Sequence, residues 1–314
     1  MQDVQNMYSQ MRKDFYEKYQ KQIVPCVRKY ENERKQKLAL AMIAGGILSL
    51  IGLGILSLLI FNPDLDSDAQ EGVLKGGLIF FGLAGLVWYW IKKSFENKIK
   101  KQIMPIVCSC FENLTWAEGK NINSSLFLNS GLIPTFTSED YDDTFKGSHK
   151  DVGIEIIEAE FERGSGKHRT TVFKGAIVLL DMNKNFSSHT VVVPDTLLHS
   201  TPVKGLRHTT LEDVQFEKKF DVFTNDEVEA RYLLTPTFME RLNGIKTAFC
   251  ANKVRCAFYG NYLLIALSSN KDLFSLCSLV TPIDDSRQYF QMYEEMVSIV
   301  KLIDHFKLDQ KLGL

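Results

Sequence analysis

The sequence predicts an α+β protein: a two-helix transmembrane hairpin with amphipathic juxtamembrane helices, followed by a largely antiparallel β-sheet domain with packed helices. Three observations lead there. Two windows hold nearly all of the extreme hydrophobicity. Apolar stripes at three- and four-residue steps flank both windows. Beyond about Asn121 the apolar residues shift to short alternating runs, mixed with helical patterns but without regular strand–helix–strand alternation.

Residues 1–37 are expected to form a juxtamembrane helix, because Tyr8, Met11, Phe15, Tyr19, Ile23, Cys26 and Tyr30 fall on one stripe. Residues 38–91 form the hairpin. Leu38 to Phe61 is 24 residues without a charge, enough at ~1.5 Å per residue to span a ~30 Å hydrocarbon layer with some tilt. A buried core helix seldom stays apolar on every face for so many turns. The second window, Gly76 to Ile91, extends to Val73 if Lys75 snorkels, so the spans are 38–61 and 73–91. Trp88, Tyr89 and Trp90 stand where an aromatic belt is expected. A re-entrant or interfacial segment is the alternative for this shorter run.

Pro63 ends the first span, and Asp64, Asp66, Asp68 and Glu71 make the connecting loop acidic. Arg28, Lys29, Arg34, Lys35 and Lys37 precede the hairpin; Lys92, Lys93, Lys98, Lys100 and Lys101 follow it. The positive-inside rule then predicts a multi-pass protein of the cell membrane with both termini cytoplasmic. Gly45, Gly46, Gly52, Gly54, Gly82 and Gly85 offer surfaces for close helix approach. No ionisable residue lies deep in either span, which argues against an ion pathway.

Residues 92–120 are expected to form the second juxtamembrane helix, striped by Phe95, Ile99, Ile103, Ile106 and Cys110. Lys21-Gln22-Ile23-Val24-Pro25 recurs as Lys101-Gln102-Ile103-Met104-Pro105, with Val27 and Val107 at matching offsets. If both helices continue out of the membrane, the two prolines lie ~20 Å from it and kink both helices at one level. The expectation is an antiparallel stalk with local pseudo-two-fold symmetry.

Residues 121–314 form the expected cytoplasmic domain. Strands are predicted at 143–149, 153–161, 170–181, 190–193, 220–223, 254–259 and 262–267, with hairpin turns at Arg163–Lys167 and Gly260-Asn261. Asp226 is a candidate N-cap, and Thr235-Pro236 a second helix start with proline at its first position. Tyr289, Met292, Tyr293, Met296, Ile299, Val300, Ile303 and Phe306 describe an amphipathic helix.

Chemistry is harder to find. A net charge of −1 argues against a general nucleic-acid binder. The six cysteines contain no Cys-x-x-Cys pair and are expected to be reduced thiols of a cytosolic compartment, with acylation of Cys108 or Cys110 left open. His149, His168, His189, His199, His208 and His305 are scattered, with no paired metal-ligand spacing. Gly164-Ser165-Gly166-Lys167 fails as a phosphate loop, since Phe161 holds the first glycine position and His168 replaces the hydroxyl. Glu139, Asp140, Asp142 and Asp143 are an acidic cluster, read as an exposed strand entrance ahead of a divalent-cation site. No catalytic, cofactor-binding or metal-ligating residue is assigned, and no cofactor is expected. The polar residues singled out are Asp226, Glu229, Arg231, Lys271 and Asp272: a candidate recognition surface, or helix caps and ion pairs.

The same region carries a family likeness. Asp226 through Pro236, then Met239-Glu240-Arg241-Leu242, with Phe173-Lys174-Gly175 and Ser268 through Phe274, resembles the signature of a bacterial domain-of-unknown-function family, number 3137. The layout of N-terminal helix, two spans, proline-bearing helix and soluble domain is similar too. The resemblance implies a bacterial membrane protein and no particular activity. The expected function is a membrane-anchored binding or scaffold protein rather than an enzyme, contacting membrane lipids through its hairpin. It would self-associate or bind another membrane protein, and no nucleic acid. The rival is a membrane-tethered enzyme acting on a lipid or small anion.

Overall fold

The computed structural model describes residues 2–111, 113–119, 124–194, 203–211 and 214–311. It is α+β, with a helical N-terminal part followed by an antiparallel nine-stranded open sheet and its helices. The chain divides into two compact units that do not follow chain order: Tyr16–Ile106 with Ser275–Gln288, and Met1–Phe15 with Val107–Phe274 and Tyr289–Leu314.

The first helix α1 (Gln2–Lys18) enters the helical unit at Tyr16 and passes into a π-helical turn at Tyr19–Ile23, then α2 (Val24–Arg28). The Val24 N–H reaches back five residues to the Tyr19 carbonyl. That wider turn precedes Pro25, which has no N–H to continue an α-helical ladder. The chain then breaks at Lys29-Tyr30 before α3 (Glu31–Phe61), so the first juxtamembrane helix does not run unbroken into the apolar one. The second does: α4 spans Ser67–Cys108 with Pro105 inside it. Asp66 caps its start, accepting from the Ala69 N–H at 2.8 Å.

Both α3 and α4 are long and apolar enough to cross a membrane, and only 6% of each apolar window is buried within the protein. A core helix of a soluble protein would bury most of that window. Gly52 and Gly77 mark a close approach between them. A Cβ on Gly52 would lie 3.0 Å from the Gly77 carbonyl oxygen, and one on Gly77 would press 2.5 Å against Leu56. Gly45, Gly46, Gly54, Gly82 and Gly85 instead face open space, so most of the predicted glycine surface is not used between these helices. Arg34 is no solvated flank charge. It is buried, pairs with Glu31 through two hydrogen bonds of 2.9 and 2.8 Å, and donates to the Leu279 carbonyl at 2.8 Å.

The short repeat extends into structure. Positions 21–27 and 101–107 share one burial pattern: exposed, exposed, buried, buried, exposed, half-buried, buried. Both copies end their helix one residue later, at Arg28 and Cys108. Both close with the same turn, Tyr30 N–H to Val27 O at 2.9 Å and Cys110 N–H to Val107 O at 3.0 Å. The two copies thus share burial and closing turn, although residues 21–23 lie in a π-helical turn and residues 101–103 in a continuous α-helix.

The other unit is built on strands β1 (Thr115–Glu118), β2 (Ser138–His149), β3 (Val152–Arg163), β4 (Thr170–Asp181), β5 (Thr190–Pro194), β6 (Arg207–Thr209), β7 (Phe220–Thr224), β8 (Lys253–Tyr259) and β9 (Tyr262–Ser268). They lie in the order β1-β2-β3-β4-β9-β8-β5-β7-β6, every neighbouring pair antiparallel. Helix therefore does not continue to residue 120: α4 stops at Cys108, and β1 pairs on β2. The acidic cluster lies within β2 rather than ahead of it, and a register shift separates Tyr141 from Thr144. Asp143 is fully buried there, and the Trp116 indole N–H donates to it at 2.7 Å, which offsets part of the cost of burying the carboxyl.

One sheet face packs Ile157, Phe161, Ile177, Val191 and Leu264 under Phe127, Leu132 and Ile133, from helix α5 (Ser124–Asn129) and the segment after it. On the other face α8 (Pro236–Ala248) contacts β8, and Met296 of α9 (Ser286–Lys311) lies with Ile154 and Ile156 of β3; α6 (Val214–Glu217) contacts β7, and α7 (Glu227–Leu233) follows that strand. Phe238 of α8 lies 5.4 Å from Phe258 of β8, centroid to centroid. Both faces being covered explains the continuous buried run from Ala176 to Leu180 in β4. Phe15 of α1 stacks on Tyr293 of α9 at 4.6 Å and meets Phe290 edge-on at 5.2 Å, so the first fifteen residues belong with this unit.

Candidate functional site

The sheet topology separates the five singled-out residues into two sets. Strand β7 ends at Thr224, where Thr190 of β5 and Phe258 of β8 also lie, beside the Gly260-Asn261 turn. Strand β9 runs away from that turn to Ser268, which pairs with Lys253. Helix α7 thus begins at one end of the sheet, and Lys271 and Asp272 follow the other. The seven residues of β9 place ~20 Å between those ends.

At the first end, Asp226 caps α7. One carboxylate oxygen accepts from the Val228 N–H at 2.9 Å and the Glu229 N–H at 3.1 Å. Glu229 accepts from the Ser187 hydroxyl at 2.7 Å and its N–H at 3.1 Å. Burial alone would raise the Glu229 pKa, but hydrogen bonds from Ser187 and Ser188 outweigh it and hold the carboxyl below its ordinary range. Arg231 is exposed and sits 3.8 Å from Glu227.

At the second end, two of the sequence motifs meet. Gly175 pairs with Ser268, and the Ser269 N–H donates to the Lys174 carbonyl at 2.9 Å. The backbones approach so closely that a Cβ on Gly175 would collide with the Leu267 carbonyl and lie 2.8 Å from the Ser269 nitrogen. Its φ of +142° also disfavours other residues. The Lys271 N–H donates to the Ser269 hydroxyl at 3.1 Å, and the Leu273 N–H to Glu158 at 2.9 Å. Asp142, Glu158 and Asp272 bring carboxylate oxygens within 4.8 Å of one another. Lys174 beside them has its pKa raised, chiefly by its 2.6 Å hydrogen bond to Glu160 and further by Glu158 and Asp272. An ammonium thus already compensates part of this negative charge.

A different set of residues forms a concave site that no sequence motif marked. A cavity of about 460 Å³ opens between α1, α9, the β2–β3 hairpin and the segment following α4. Met7 and Met11 line it from α1, and Met296, Ile299 and Val300 from α9. Ile154 and Ile156 form its floor on β3, while Phe111 and Leu114 close one side. Its few polar groups are the hydroxyls of Ser109 and Ser148, the Cys110 thiol and the His149 ring.

A buried carboxylate stands beside it. Asp304 of α9 accepts from the Tyr8 hydroxyl at 2.7 Å, contacts His149 Nε2 at 2.8 Å and accepts from Lys150 Nζ at 2.7 Å. Burial works to raise its pKa; the three hydrogen bonds win and hold it well below the ordinary carboxylate range. Burial, and after it the same contact with Asp304, pushes the Tyr8 hydroxyl pKa up. These four residues were not singled out from sequence because 296 positions separate Tyr8 from Asp304.

Of the remaining histidines, His168 is exposed in the turn between β3 and β4, and two others have structural partners. His189 contacts the Ser130 carbonyl at 2.8 Å, and His208 lies 3.3 Å from Asp221. His199 and the His305 side chain lie outside the described positions. All six cysteines are free thiols, and burial raises the pKa of Cys108 and Cys277 to about 12.

Fold and site together define an α+β open-sheet domain carried in one chain with a pair of long apolar helices. Residues 171–308 match the model of a family described as a protein of unknown function, DUF3137. That segment contains all the signature motifs named above. No curated protein matches the chain. Among solved structures, the mycobacterial trehalose monomycolate transport factor A, TtfA, is similar at 8% identity and a TM-score of 0.34. The match covers 60% of this chain and 86% of that one. A likeness that slight transfers neither fold nor function.

Proposed function

We propose that this protein is a membrane-anchored binding or scaffold protein, with α3 and α4 crossing the membrane as a hairpin and the sheet domain binding a partner. The acidic loop between the spans lies outside and both termini lie in the cytoplasm. The basic flanks at residues 28–37 and 92–101 support that orientation. The observation that carries the binding reading is how the polar side chains of the family signature are used. Asp226 and Glu229 are occupied in capping and backbone contacts, Lys271 and Asp272 stand at the far end of the sheet, and none of the five lines the cavity. A catalytic site would need such groups convergent in a pocket.

Crosslinking the full chain in intact membranes, followed by mass spectrometry, tests this reading. A homo-oligomer or one consistently enriched membrane protein is the expected result. A strictly monomeric chain with no enriched partner overturns it. Cysteine-accessibility labelling tests orientation: a cysteine introduced at Asp66 should react from outside the cell, and one at Lys98 only after permeabilisation.

A further inference from the structure

We propose that the cavity bounded by α1, α9 and the β2–β3 hairpin binds one aliphatic chain of an anionic, single-chain amphiphile. The proposal deepens the membrane-anchored reading above and rests on it for the source of ligand.

The volume comes first. The cavity measures about 460 Å³, and its walls are mostly aliphatic, aromatic or thioether side chains. It lies within the range of natural small-molecule pockets, ~300–1,000 Å³. At the ~30 Å³ that one molecule of liquid water occupies, the space equals roughly fifteen methylene-sized groups. Water gains little there, because the lining offers few hydrogen-bond partners, so an apolar guest can displace it.

The lining also selects the shape of the guest. Met7, Met11 and Met296 reach it from two helices. Unbranched, polarisable side chains adapt to a flexible chain better than to one rigid ring system. Ile154 and Ile156 give it a fixed floor on the sheet.

The polar edge selects the head group. His149 lines the cavity, and its Nε2 shares one oxygen of Asp304 with the ammonium of Lys150. The Lys150 side chain is 49% exposed, so donors beyond the one bound to Asp304 can reach an anion at this edge. Among the described residues, no carboxylate lines the cavity itself. A carboxylate or phosphate head beside Lys150, with its chain between Ile156 and Met296, uses both halves of the site. A membrane supplies such molecules to a chain anchored in it.

The test uses the full chain in nanodiscs of zwitterionic lipid and a sixteen-carbon fatty acid carrying a photoactivatable diazirine. After irradiation, crosslinked peptides are mapped by mass spectrometry. The expected result is labelling of the peptides containing Ile154–Ile156 and Met296–Val300, lost on competition with unlabelled palmitate or palmitoyl lysophosphatidic acid. Competition by palmitate alone assigns the chain to a free fatty acid. Competition by the lysophospholipid alone assigns it to a membrane-derived monoacyl lipid. Filling the cavity with Ile156→Trp should lower labelling of these peptides at least about tenfold while leaving the labelling of α3 and α4 unchanged. Should that variant not fold, Val300→Phe takes its place. Labelling of α3 and α4 without the cavity peptides, or cavity labelling that neither competitor removes, overturns the proposal. Cavity labelling with unlabelled spans upholds the cavity and instead overturns the membrane anchor.

Discussion

Glu295 shows how one buried side chain can tie stability to pH. It is 3% exposed on α9, and Gln291 donates to one of its oxygens at 3.1 Å. The other oxygen has no hydrogen-bond partner among the described residues. Burial pushes its pKa up to about 7, against a smaller opposing effect of the Gln291 bond. A carboxyl whose pKa is raised on folding favours the folded state most below its ordinary value of 4.5, and that advantage is lost as pH rises to about 7. Glu295→Gln should therefore be the more stable protein at pH 8, by on the order of 2–3 kcal/mol, and should lose less stability between pH 5 and pH 8. Thermal unfolding of both proteins across that range checks this, and parallel pH profiles would count against it. Gly175 is the contrasting case. Its motif was visible in the sequence, but only the pairing with Ser268 explains why a side chain does not fit.

Among elements, α7 was the most legible. Asp226 was expected as an N-cap and is one, with two backbone donors. Thr235 and Pro236 open α8 as their residue types demand, with the Thr235 hydroxyl accepting from the Phe238 N–H at 3.2 Å. Local hydrogen bonding determines such starts, so a few adjacent residues suffice to announce them. Asp226→Ala should destabilise the domain by about 1 kcal/mol, whereas Arg231→Ala should change stability by less than about 0.5 kcal/mol, because its ion pair is exposed. Chemical unfolding of the two variants ranks them. If Arg231→Ala keeps full stability yet abolishes a membrane crosslink, the exposed face of α7 is a contact surface. Strands β1 and β6 escaped the sequence pattern for the opposite reason. Each is three or four residues long and mostly exposed, so pairing with a neighbour defines it rather than its own alternation.

At the scale of the whole molecule, Asp304 joins parts of the chain that begin, bisect and nearly end it. Its pKa is lowered on folding, so its contribution is present above the ordinary value of 3.8 and lost as pH falls below it. Asp304→Asn should cost about 2–3 kcal/mol at pH 7, since it leaves Lys150 and His149 without their anion, and the difference from the parent should shrink in acid. Unfolding curves from pH 3 to pH 7 measure both effects, and a constant difference would contradict the clasp. By itself the sequence determined the two apolar helices, the α+β class, the helix caps, most of the central strands and the seven-residue repeat. Each of these depends on composition or on neighbours within one or two turns. Tertiary structure alone decided that the first fifteen residues join the sheet domain, that the signature residues part to opposite ends of β9, and that an apolar cavity forms beside Asp304. Those features arise where segments tens to hundreds of residues apart pack together, and no local pattern encodes which segments will meet.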